Sequence, residues 1–171
     1  MKNNIILLGM MGAGKSSIGK KLKEVLTNFT FIDVDDYIEN KADMKISDIF
    51  AKYSEKYFRD LETETIKELC QNDNQIISLG GGSFEREENR NILTKTGKTI
   101  YLRAMAQTLF DRIKSETHRP LLKQGFGVEK VEEILSKRAI NYEKASIIID
   151  TDGKTPYNII DEIQKRIAEN A

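Results

Sequence analysis

Cysteine, histidine and any surplus of charge are what this sequence has little of. Its 171 residues include one cysteine, Cys70, so the chain cannot close a disulfide on itself. Cys70 falls in the apolar pattern of a predicted helix, where a thiol is a buried, inert filler rather than a nucleophile. The one histidine, His118, excludes a His-rich metal centre and is expected in an exposed loop. Lys plus Arg (27) balance Asp plus Glu (27), so no overall field argues for nucleic acid or a membrane surface as partner. Any anion site must be built by local placement. No apolar run approaches the roughly 18 residues of a spanning helix. Met1-Lys2 leads straight into a predicted strand without a signal-like segment, so a cytoplasmic location is expected. A chain of this length suits one domain that buries roughly 70% of its unfolded surface, and its size and balanced charge favour a monomer.

What the chain does have is the stretch Gly9-Met10-Met11-Gly12-Ala13-Gly14-Lys15-Ser16, which fits the phosphate-loop pattern G-x-x-x-x-G-K-[ST] without a mismatch. The apolar run Ile5 to Leu8 predicts a buried strand feeding the loop. Ser17 to Leu26, with Ile18, Leu22, Val25 and Leu26 at helical spacing, predicts the helix leaving it. Glycines let such a turn curl its N–H groups inward, and the helix start adds a dipole that favours an anion. Gly12, Ala13, Gly14, Lys15, Ser16 and Ser17 are therefore the expected phosphate cradle, with Lys15 supplying charge and Ser16 a hydroxyl for Mg²⁺. A nucleoside triphosphate with magnesium is the predicted ligand.

Further along, Phe29 to Val34 is predicted as a second strand tipped with acid, on which Asp33 and Asp35 share a face. Tyr37 to Gln71 is helical, broken near Lys41 to Lys45 and near Ser54. Gln75 to Leu79 forms a third strand, followed at once by Gly80-Gly81-Gly82, a run that lets something approach the backbone closely. Glu85 to Thr96 is helix, Thr99 to Leu102 a fourth strand, and Gln107 to Lys114 a helix. Ser115 to Val128 is a polar loop, Glu129 to Glu143 a helix, Ser146 to Ile149 a fifth strand, and Tyr157 to Ala168 a terminal amphipathic helix. Strands alternating with helices imply an α/β fold with a parallel sheet covered on both faces. Ligands of such sheets bind beyond the carboxyl ends of the strands, where the phosphate loop, the acids and the glycine run all fall.

Taken together with Phe31-Ile-Asp-Val-Asp35, Phe58-Arg59-Asp-Leu-Glu62, Gly80-Gly-Gly82, Arg119-Pro-Leu-Leu122 and Arg138 four residues before Tyr142, the loop resembles shikimate kinase nearly end to end. The resemblance implies a P-loop, nucleoside-monophosphate-kinase-like fold with a five-stranded parallel sheet. Its parts would be an acceptor-binding insert over about 35–72 and a lid over about 113–128. It also implies ATP-dependent phosphorylation of the 3-hydroxyl of shikimate, a step of aromatic amino-acid biosynthesis. Residue by residue, Asp33 resembles the acid that holds Mg²⁺ through water, and Asp35 the residue that activates the acceptor hydroxyl. Arg59 and Arg138 resemble the substrate arginines, the backbone of Gly80, Gly81 and Gly82 lies with them, and Glu62 holds Arg59 as an i,i+3 partner. Phe50 and Phe58 would wall the acceptor ring. Arg119 would reach the transferring phosphate, Arg112 would lie near the adenine end, and Pro156 beside the adenine. The chain departs from the family in having Ile140 where a proline usually follows the arginine matched by Arg138.

Structural readings stand beside these. Asp at this point also caps helices, core packing accounts for Phe50 and Phe58 equally well, and Pro156 also suits a helix start. Arg59 and Arg138, taken without the resemblance, suit a solvated helix face. The competing functions are another small-molecule P-loop kinase, such as gluconate kinase or a nucleoside monophosphate kinase, and a non-catalytic nucleotide-binding module.

Overall fold

A computed structural model describes residues 2–114 and 126–170. Five strands form one parallel sheet: β1 Asn4–Leu8, β2 Thr30–Asp33, β3 Gln75–Ser78, β4 Gly97–Arg103 and β5 Ile147–Asp150. Their order across the sheet is β2-β3-β1-β4-β5. The helices are α1 Lys15–Val25, α2 Val34–Ala42, α3 Ile46–Lys52, α4 Glu55–Leu69, α5 Glu87–Thr96, α6 Ala106–Ile113, α7 Val128–Tyr142 and α8 Pro156–Glu169, with a 3-10 turn at Ser83–Glu85.

Burial explains the sheet order. The central strand β1 is buried along its whole length, as an apolar run must be when helices cover both faces. Each of Ile6, Leu7 and Leu8 contributes roughly 1.5–3 kcal/mol when fully buried. The edge strand β2 is half exposed and accordingly carries Thr30 and Asp33. Because the chain leaves β1 toward one edge and later crosses from β3 to β4 on the other side, a crevice opens at the carboxyl end of β1.

Helix boundaries follow local chemistry. Ser54 caps α4 by accepting from the Tyr57 N–H, and Asp43 in the left-handed region ends α2. Thr155 and Asn158 form a capping box at α8, with Pro156 at the first position, where its missing N–H costs nothing. Cys70 is buried behind α4 and accepts from the Thr96 hydroxyl at 3.3 Å, which agrees with the inert-thiol expectation.

One local expectation needs correction. The second strand stops at Asp33, so Asp33 and Asp35 do not share a strand face. Asp33 is the N-cap of α2, its Oδ1 accepting from the N–H groups of Asp35 at 3.1 Å and Asp36 at 3.4 Å, and Asp35 stands in the first helical turn. The cap satisfies donors that a helix start would otherwise leave unpaired, which ends the strand one residue before Val34.

Candidate active site

The loop after β1 turns through Gly12 (φ 79°) and Gly14 (φ 88°), left-handed values that strain any side chain. A methyl at Gly12 would also meet Ile113 Cγ2 at 2.7 Å. Gly14 is the N-cap of α1, and among the described residues no side chain caps that terminus. The dipole of such a helix start favours an anion. Lys15 Nζ lies back over the loop, donating to the carbonyls of Gly9 at 2.8 Å and Met10 at 3.0 Å. Arg112, in the last turn of α6, donates to the Gly12 carbonyl at 3.1 Å and closes the loop from above.

Ser16 follows, and its hydroxyl donates to Asp33 Oδ2 while lying 3.4 Å from the Ser78 hydroxyl. Asp33 thus divides its two oxygens: Oδ1 caps α2 and Oδ2 holds Ser16. The helix-cap reading of Asp33 is realised, and its other oxygen engages the loop serine. A cavity of about 440 Å³ lies over the loop, with Asp33, Asp35, Asp36, Ser78, Gly80 and Gly81 along one side. Burial first, and then the neighbouring Asp33 carboxylate, push the Asp36 pKa upward.

Beyond the loop, the glycine run organises the second half of the site. A methyl at Gly80 would stand 2.8 Å from Asp35 Oδ1 and 3.2 Å from Glu62 Oε1. One at Gly81 would stand 3.1 Å from Arg138 Nη1, and one at Gly82 would stand 2.5 Å from Arg59 Nη2. Three successive residues without side chains therefore admit three charged side chains, from α2, α7 and α4. Arg59 and Arg138 line a second cavity of about 440 Å³, on the Gly82 side.

Arg59 is held as its spacing predicts. Nη1 donates to Glu62 Oε2 at 3.1 Å and Oε1 at 3.3 Å, while Glu62, fully buried, also accepts from the Ser83 hydroxyl at 2.5 Å. A buried carboxylate needs such partners, since an unpaired charge there is costly. Arg138 Nη1 lies 3.9 Å from the Met10 sulfur, which sets the arginine between the loop and the glycine run. Ile140 is 70% exposed, so the position where the family has proline faces solvent and leaves the placement of Arg138 on α7 intact.

The remaining expectations fall as follows. Ala13 is buried under the loop and Ser17 lines the first cavity. Phe58 is buried in the core, pairs with Phe50 at 4.9 Å between ring centroids and stacks under the Arg59 guanidinium at 5.3 Å. The core reading thus accounts for its burial. Pro156 is where a helix-start proline belongs, and among the described residues it does not line either cavity. His118, Arg119, Pro120 and Gly125, with most of the expected lid over 113–128, lie outside the described residues. Ser78, Ser83, Asp36 and the Tyr142 hydroxyl belong to the site but were not singled out as site residues by sequence. Ser78 and Ser83 flank the glycine run, and that adjacency was the available signal.

The donor set can hold a triphosphate and a magnesium ion. The loop amides and Lys15 suit phosphates, while Ser16 with a single carboxylate suits Mg²⁺, which takes few protein ligands and completes its shell with phosphate oxygens and water. Among the described residues no group of three or more His, Cys, Asp or Glu converges.

Comparison with known proteins agrees with this geometry. The family model described as shikimate kinase matches residues 11–168. A shikimate kinase from Thermodesulfovibrio yellowstonii is 44% identical over 162 residues, covering 95% of this chain and 93% of the relative. The solved shikimate kinase from Acinetobacter baumannii in complex with shikimate superposes with a TM-score of 0.93 at 32% identity, covering 99% of this chain and 95% of that one. A gluconokinase from Sinorhizobium meliloti superposes at a TM-score of 0.60 with 15% identity, covering 99% and 94%, a likeness of fold alone. A match along nearly the whole length, on a sheet and loop of the same architecture, means that this chain belongs to the shikimate kinase family.

Proposed function

We infer that the chain transfers the γ-phosphoryl group of ATP to the 3-hydroxyl of shikimate, giving shikimate 3-phosphate and ADP. The observation that carries this reading is the approach of Asp35, Arg138 and Arg59 to the consecutive glycines 80, 81 and 82, directly beside the phosphate loop. A nucleotide-binding module has no use for such an acceptor pocket.

Phosphoryl transfer asks the protein mainly for positioning and charge neutralisation. Lys15 and the loop amides hold the phosphates, and Arg112 closes the loop beside them. Ser16, and Asp33 through water, would hold Mg²⁺, which when bound would supply charge neutralisation for the phosphate oxygens. Asp35 orients the acceptor hydroxyl and takes its proton as the new bond from oxygen to phosphorus forms and the bond to the β-phosphate oxygen breaks. Arg59 and Arg138 clamp the acceptor carboxylate, for which the guanidinium fork provides paired charge-assisted bonds. Glu62 keeps the Arg59 fork aimed at Gly82, and the insert over about 35–72 carries Asp35, Arg59 and Glu62, while Arg138 comes from α7. By family resemblance Arg119 contacts the transferring phosphate when the lid closes. The chain acts as a monomer in the cytoplasm, a reading supported by its size and evenly balanced charge. Among the described residues no helix is long and apolar enough to cross a membrane.

The test is steady-state ADP release with shikimate and with its carboxamide, in wild type and Arg59→Lys. Lysine keeps the charge and loses the fork, so the KM for shikimate should rise while that for ATP stays put. The carboxamide should be a poor substrate, because buried guanidinium donors lose their anion. Intact ATP binding without turnover of shikimate would overturn the reading in favour of another acceptor.

A further inference from the structure

The three carbonyls of the glycine run are held in two different ways. The Ser83 N–H donates to the Gly80 carbonyl and the Glu85 N–H to the Gly82 carbonyl, each at 3.1 Å, so both are closed by local turns. The Gly81 carbonyl between them receives the hydroxyl of Tyr142, 61 residues further along the chain.

Tyr142 has little freedom to move, and its hydroxyl also lies beside the Arg138 guanidinium. It is 1% exposed, and its ring packs on Tyr101, itself buried in β4, at 5.0 Å between centroids. A hydroxyl taken that far from water needs a partner, and the Gly81 carbonyl is one. Burial also pushes its pKa up, so the proton that makes the bond stays on the oxygen. Arg138 lies four residues earlier on α7, on the same face of the helix and one turn away. It is the group that a methyl at Gly81 would strike. One helix therefore grips the glycine run twice, by a hydroxyl on the Gly81 carbonyl and by a guanidinium over its Cα. Glycines bring no side chains to restrain their own dihedrals. Fixing the Gly81 carbonyl also fixes the Gly82 N–H, which points the opposite way across the same planar peptide.

We propose that Tyr142 is a positioning residue for the acceptor: its hydroxyl locks the Gly81–Gly82 peptide to α7 and so sets Gly81 and Arg138 in register with each other. This rests on the proposed function, under which Gly81 and Arg138 meet shikimate. Tyr142 itself touches no reacting group.

Tyr142→Phe keeps the ring and removes only the donor. The expected result is a rise of about fivefold to tenfold in the KM for shikimate, the fold-change one hydrogen bond of ordinary net worth represents. The KM for ATP should stay within about twofold of wild type. In amide NMR spectra of the unliganded variant, the Gly81 and Gly82 resonances should shift and broaden as the released peptide samples a second orientation. Either an unchanged shikimate KM or sharp, unshifted glycine resonances in the folded variant overturns the proposal. An equal rise in both KM values with a lowered melting temperature overturns it too, since that marks a general packing defect. If wild type itself does not phosphorylate shikimate, the functional reading fails and the glycine resonances still decide the peptide lock. Should Tyr142→Phe not fold, the wild-type hydroxyl proton decides. A slowly exchanging resonance with a cross-peak to the Gly81–Gly82 segment supports the lock, and its absence overturns it.

Discussion

Gly82→Ala is the sharpest test of how the acceptor side is built. Gly82 has φ −97°, which alanine adopts freely, so the substitution probes contact and not backbone strain. The new Cβ would lie 2.5 Å from Arg59 Nη2 and 2.7 Å from Cζ and Nη1, about 1 Å short of ordinary van der Waals contact. Gly82 is tied by its carbonyl to the Glu85 N–H, so the arginine has to yield. Its guanidinium is not a free end, because Nη1 is bonded to Glu62 at 3.1 and 3.3 Å and Glu62 is fully buried. Moving the fork leaves that carboxylate with the Ser83 hydroxyl alone, and losing a hydrogen bond to a charged group costs about 1.5–3 kcal/mol. For a domain of this size that lowers the melting temperature by about 3–12 °C. A displacement of about 1 Å at a positioning group costs on the order of 10² in kcat/KM for shikimate, while the KM for ATP should hold. Gly81→Ala is the internal control: its Cβ would be 3.1 Å from Arg138 Nη1, a clash relieved by a few tenths of an ångström. It should cost less than about tenfold. The assay is coupled ADP release with each substrate varied in turn. A wild-type shikimate KM in Gly82→Ala, or greater damage from Gly81→Ala, would refute the assignment of Arg59 to the acceptor.

Asp35→Asn and Lys15→Ala should fail in different ways. Asp35→Asn keeps ATP binding, measured by calorimetry, while turnover falls roughly 10²- to 10⁴-fold, and near wild-type turnover would reduce Asp35 to a first-turn helix residue. Lys15→Ala should impair ATP binding and turnover together, and unchanged nucleotide affinity would remove Lys15 from the phosphate cradle. A pH dependence follows from burial: desolvation raises the pKa of Cys70 above its ordinary 9.0 and those of Tyr101 and Tyr142 above their ordinary 10.0. The folded chain keeps these protons longer than the unfolded one, so full stability is present below about pH 9 and is lost as pH rises from there. Melting temperatures should decline as the pH rises above about 9, and a level profile would contradict the burial of these groups.

The phosphate loop was determined by sequence alone because everything it needs lies within eight consecutive residues between an apolar run and an amphipathic one. The five strands, the helix breaks near Ser54 and Lys41 to Lys45, and the Arg59–Glu62 pair were legible for the same reason, each being set by neighbours no more than a few positions apart. Asp33 and Asp35 mark the limit. Alternating acids after an apolar run suit a strand face, and only the competition won by the α2 cap put Asp33 at the strand end and Asp35 in a helical turn. The glycine run announced a close approach without naming what approaches. That Asp35, Arg138 and Arg59 each meet a successive glycine, and that Tyr142 holds the middle carbonyl, was decided by how α2, α4 and α7 pack around the carboxyl end of the sheet. Local pattern sets which face a helix buries, but the meeting of groups far apart in the chain depends on the packing of whole elements against one another, which no short window of sequence encodes.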